Sequence, residues 1–124
     1  MSTLSEAIRG STPPANVAVP TPEWPEADGK LFAERATMKR LGTMYEAIRD
    51  DKQLADVPFS VAAVISLAVD AEGHRVFSAA DAAWLAGESC AAPVRRLWGV
   101  IDEVNAISDQ SREILRKNSE TTPA

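Results

Sequence analysis

The residues of this chain that could do chemistry are few and stand apart. His74 is its one histidine and Cys90 its one cysteine, so there is no cluster of soft ligands from which a zinc site could be built. Cys90 has Glu88 nearby and no histidine to activate it, which fits a buried or incidental thiol and not a nucleophile. Asp70, Glu72 and Gly73 imitate the middle of a calcium loop. With Gly73 set at the loop glycine, however, Ala68 takes the first ligand position and Ala79 the last, and the two strongest ligands are missing. No glycine-rich phosphate loop occurs. Carboxylates abound, but no pair of them shares a face with an evident apolar pocket, which leaves general acid/base catalysis unsupported. The expectation is a protein that is not an enzyme and takes no metal and no cofactor.

What is left to act is apolar side chain. Trp24, Trp84 and Trp98 are the natural contacts for a protein partner, joined by Met44, Tyr45 and Leu97. Each also has a place in a core. Trp98 lies on a helical stripe that favours burial, Trp24 on a proline-bound edge that favours neither reading, and Trp84 falls between them.

These residues must be positioned by a small set of elements, and Ser60 to Gly87 is the centre of the set. Val61 to Ala68 is apolar except for Ser66, so it belongs inside on most sides. Asp56-Val57-Pro58 reads as an N-cap followed by proline in a first turn, which favours a helix over 57–68, with a buried strand as the alternative. Asp70 to Gly73 stop that run, Gly73 supplying a positive φ and the acidic side chains capping free amides in the turn. Val76 and Phe77 return the chain to the core. Ser78-Ala79-Ala80-Asp81 is a capping box with Asp in place of Glu or Gln, opening a short helix over 79–86 that ends at Gly87.

The flanking elements follow from simpler patterns. Residues 1–15 should form a flexible N-terminal segment, with a weak helix through Leu4, Ala7 and Ile8 broken by Ser-Thr-Pro-Pro. Val17 and Val19 alternate with polar or small neighbours, and a second run from Lys30 to Ala36 follows the Asp28-Gly29 turn, giving a β-hairpin over 16–36. Pro20, Pro22 and Pro25 exclude a regular central strand, so Trp24 sits on an edge or in the connecting loop. Thr37 caps a helix over 38–50 whose Leu41, Met44, Tyr45 and Ile48 share one face. Lys39, Arg40, Glu46, Arg49 and Asp50 make the opposite, solvated face. Gly42 is out of place there: either something packs closely against it or the helix is marginal.

A last helical stretch over 93–117 carries Val94, Leu97, Trp98, Ile101 and Val104 on one stripe, with Arg95, Arg96, Asp102 and Glu103 as charged surface and a break near Ile107 and Ser108. Residues 118–124 read as a disordered tail. The fold class is therefore α+β, mostly α: a small N-terminal hairpin and a compact bundle of about four helices in one domain over 16–117.

Composition bounds the rest. The 124 residues suit one core, and 45% apolar with 25% charged residues is ordinary for a globular chain. A net charge of −5 argues against a nucleic-acid partner, since phosphate binding needs a basic face. No apolar run approaches the ~18–20 residues that span a bilayer, and Met1 to Gly10 lacks the order of a signal peptide. A lone cysteine allows no internal disulfide. The expectation is a cytoplasmic protein with no membrane partner.

In their order along the chain, Val17 to Trp24 with Asp28-Gly29, an arginine-rich helix, Val69 to Ser78 with Asp81, and the closing Lys117-Asn118-Ser119 resemble the tail assembly chaperones of lambda-like long-tailed bacteriophages. The segments VPTPEWPEADGKLF, DAEGHRVFSAADAAWL and RKNSETTPA carry the resemblance through their order and spacing. It implies a late viral protein of the host cell cytoplasm that coats the tape measure protein, keeps that chain soluble, and is absent from the mature virion. It further implies a C-terminally extended form made by ribosomal frameshifting, which recruits the tail tube protein. Coating a long client works through many weak copies and effective concentration, so a homo-oligomer is expected, with the helix from Thr37 to Asp50 as a candidate for self-association. No active site is carried over. A structural tail completion or connector subunit, and a small regulator binding a protein through the Val94 to Val104 helix, are the competing readings.

Overall fold

The computed structural model describes residues 3–108; the expected helical residues beyond 108 and the expected tail lie outside them. The order of elements is α1 (Leu4–Gly10), β1 (Val17–Ala18), β2 (Phe32–Ala33), α2 (Met38–Asp50), α3 (Lys52–Ala55), α4 (Phe59–Leu67), β3 (Ala68–Val69), α5 (Ala82–Gly87) and α6 (Ala91–Asn105), with a 3-10 turn at Ala79–Asp81 leading into α5. The fold is α+β and mostly α, as the sequence predicts.

Helix α4 is the axis of the domain. Every residue from Val61 to Val69 is buried, and α6, α5, α2 and α3 all pack around it. A helix apolar on all sides has no solvent face to give up, and each fully buried Val, Leu or Ile contributes roughly 1.5–3 kcal/mol of transfer free energy. Ser66, the one polar residue of the run, turns its hydroxyl back to the Ala62 carbonyl at 3.0 Å, which removes the cost of an unpaired buried hydroxyl.

Helix and strand prove to be successive within 57–68. The helix starts at Phe59, with Pro58 at the N-cap, because Asp56 already closes α3. The chain then goes extended at Ala68 and pairs antiparallel with β2, Phe32 opposite Val69 and Ala33 opposite Ala68. This third strand is the partner that a small hairpin needs for stability, and the sheet order is β1-β2-β3. The strands of the hairpin are only two residues long, since the prolines after Val19 cannot feed a ladder. Residues Thr21 to Lys30 instead wind through successive turns, closed by the Lys30 amide on the Ala27 carbonyl at 2.9 Å with Gly29 at φ +83°.

Local signals hold elsewhere. The Arg40 amide donates to Thr37 Oγ1 at 3.0 Å, the Ser78 amide to Asp81 Oδ2 at 2.8 Å, and Asp70 Oδ1 accepts from the Glu72 and His74 amides, both at 2.9 Å. Gly73 takes φ +84° in that turn. Between α2 and α4 the chain makes the one-turn helix α3, capped by Asp51. Helix α6 begins two residues ahead of Pro93 and ends at Asn105, where Ala106 turns left-handed at φ 53°. That break precedes the expected one, and the buried Ile107 then plugs the core.

Arg40, assigned to a solvated face, and Asn105 are structural ties. Arg40 pairs with Glu34 at 3.3 Å and donates to the Ser66 carbonyl, joining the end of β2 to the end of α4. Asn105 Oδ1 accepts from the Ala36 amide at 2.8 Å, while its Nδ2 donates to the Glu34 carbonyl at 2.9 Å. Gly42 faces open space, so its presence reflects no close approach.

Candidate functional site

Two aromatic surfaces emerge from this packing, each assembled from several elements. The first begins with Trp24 in the proline-bound turn. Arg96 of α6 grips the neighbouring Glu23 with both nitrogens at 3.0 Å and donates to the Pro20 carbonyl at 2.8 Å, a bidentate arrangement that fixes orientation as well as charge. The Arg96 hydrogen bonds hold the Glu23 carboxyl below its ordinary range. With its loop so tethered, the Trp24 ring lies 6.2 Å from Phe77, edge to face, and 6.3 Å from Trp84 on α5.

Between these rings runs a groove of about 220 Å³ lined by Trp24, Ala27, Leu31, Val76, Phe77 and Trp84, with Glu26 as the one charged residue in its wall. Trp84 is 45% and Val76 43% exposed. Val76 was expected in the core; it pairs backbone to backbone with Ala68 but turns its side chain outward. Phe77, half-buried, does pack against the core.

The second surface spans α2, α4 and α6. Tyr45 stacks on Phe59 at 5.8 Å and 14°, and Phe59 meets Trp98 edge to face at 5.7 Å. Tyr45 and Phe59 are each 37% exposed. Partial burial, then the negative charge of Asp102, push the Tyr45 hydroxyl above its ordinary value of 10.0. Asp102 is itself held by the Ser108 amide and hydroxyl, both at 2.6 Å.

Of the six residues expected to meet a partner, four therefore reach these surfaces: Trp24 and Trp84 on the first, Tyr45 and Trp98 on the second. Met44 and Leu97 do not. They are 1% and 0% exposed, because they point from α2 and α6 toward the α4 axis, and they belong to the core. Phe59 was missed, although a phenylalanine directly after the helix-opening Pro58 lies in the first turn, outside the buried run. Neither a protein-family model, nor a curated protein, nor a solved structure matches the chain.

Polar groups offer less. A cleft of about 450 Å³ beside Val76 and Phe77 contains Arg75, Asp51 and Asp81, but Asp51 and Asp81 already accept backbone amides as caps. The His74 side chain is 79% exposed and stands 3.7 Å from Asp70, whose carboxyl is held low chiefly by the His74 amide. Cys90 is exposed. Among the described residues no three His, Cys, Asp or Glu side chains come together as metal ligands, and no helix is long and apolar enough to cross a membrane.

Proposed function

We propose that this chain is a tail assembly chaperone of a long-tailed bacteriophage, which binds the tape measure protein, keeps it soluble in the host cytoplasm, and leaves before the virion is complete. The reading begins from the resemblance in order and spacing of the hairpin, the Asp70 turn with its capped helix, and the closing segment. The observation that carries it furthest is that aromatic rings which a small domain could have buried lie half-open in two sets, on a chain of net charge −5. Such a surface suits a holdase: rings shield the apolar stripes of a long helical client, and the negative charge keeps the complex dispersed.

Binding, not turnover, is then the activity. The Tyr45–Phe59–Trp98 face is the best placed for the client, since it lies across three packed helices and is preorganised by them. Many weak copies along one client act together through effective concentration, and a C-terminally extended form brings in the tail tube protein.

The test is co-expression with the tape measure protein of the same phage. The client should stay soluble only when the chain is present. A client that is soluble alone, or that precipitates regardless, refutes the reading.

A further inference from the structure

Helix α1 stands off from its own chain. None of its residues is buried, and Leu4 and Ile8, 78% and 65% exposed, lie one turn apart on a single face. The Thr3–Glu6 capping box closes its start, yet its seven residues fall well short of the ~12–15 at which an isolated helix becomes marginal in water. Local propensity alone does not hold such a helix, and a docked face would. The connection to β1 is exposed throughout and contains Pro13 and Pro14, which favour an extended, stiff course leading away from the body.

The aromatic groove has the complementary features. Its volume of about 220 Å³ is below the ~300–1,000 Å³ of small-molecule sites, and suits one or two apolar side chains. Its only charged wall residue, Glu26, makes no ion pair among the described residues, and neither does Arg9, which directly follows Ile8 and reaches only Ser5 Oγ at 3.3 Å. A short helix with two aliphatic anchors and an adjacent cation thus matches an apolar groove with one anionic wall.

We infer that the groove of one copy receives the Leu4–Ile8 face of α1 from a second copy, with Arg9 set against Glu26. The inference does not depend on the identity of the client, and it leaves the Tyr45–Phe59–Trp98 face free.

The experiment is light scattering on the full chain over about a hundredfold range of concentration, with tryptophan emission from the groove recorded in parallel. Mass should rise with concentration while the emission shifts to the blue. Ile8→Asp, Arg9→Glu and Glu26→Arg should each weaken association at least tenfold without changing the helical circular dichroism of the domain. The double variant Arg9→Glu/Glu26→Arg should recover most of the loss. A chain that is monomeric throughout, single variants that associate like wild type, or no recovery in the double variant would overturn the inference. So would a shift in emission on deleting α1 that is the same at every concentration, since the arm would then be lying in its own groove.

Discussion

Replacing Asn105 by alanine removes the side chain that ties the end of α6 to the connection between β2 and α2. Its Oδ1 is the acceptor for the half-buried Ala36 amide at 2.8 Å, and its Nδ2 serves the Glu34 carbonyl at 2.9 Å and the Ile101 carbonyl at 3.0 Å. The Ile101 carbonyl lies inside α6 and loses little. The other two groups are left in a partly buried connection, and each unsatisfied group costs about 1–3 kcal/mol, so a loss of about 2–3 kcal/mol is expected. For a domain with a urea slope of about 1–3 kcal/mol per M, that lowers the midpoint by about 1 M or more. Urea titration followed by far-ultraviolet circular dichroism reads it directly. Asn105→Asp supplies a control with the same shape: it keeps an acceptor for Ala36 but sets a carboxylate against the Glu34 carbonyl. Its loss therefore reads the Glu34 contact with the Ala36 acceptor kept, in the same urea titration. A loss for Asn105→Ala below about 0.5 kcal/mol, the range of an ordinary surface substitution, would refute the assignment of Asn105 as a tie.

Thr21 is fully buried and its hydroxyl finds no partner among the described residues; Thr21→Val should stabilise the domain by about 1 kcal/mol, read as a higher urea midpoint, and a destabilised variant would count against that reading. Gly42 meets open space in the interior of α2, so Gly42→Ala should add about 1 kcal/mol, and Ala106→Gly, which relieves a left-handed alanine at φ 53°, should add about as much by removing the steric cost of that conformation; both are checked by thermal melts. The Glu23 carboxyl is depressed below its ordinary 4.5 by the Arg96 hydrogen bond, so the tether is fully formed above that value and is lost as pH falls through the lower, folded-state value. Tryptophan emission from the groove should accordingly change below the usual glutamate range in wild type, whereas Arg96→Met, which has no tether at any pH, should show the shifted emission throughout and lack that transition; the same transition in both would mean that the tether does not position Trp24.

The parts of this fold that were legible are those written in neighbouring residues. Thr37, Ser78 with Asp81, and the Asp70 turn declare themselves within four positions, and the stripes of α2 and α6 repeat within a single element. The same locality explains the errors. Arg96 and Glu23 are 73 positions apart and Asn105 and Ala36 are 69, so no window along the chain distinguishes these ties from ordinary surface charge. Helical spacing finds a face but not its edges: Met44 and Tyr45 are adjacent and about 100° apart around α2, and that one step separates a core residue at 1% exposure from a surface ring at 37%. Whether such a ring acts is decided by what comes alongside it. Tyr45 gains Phe59 and Trp98 from two other helices, and Trp24 meets Phe77 and Trp84 from a loop that Arg96 ties to α6. The candidate site is thus a product of long-range contacts in a way that the helices are not, and substitutions at Arg96, which does not line the groove, should reach it through the tie to Glu23 and Pro20.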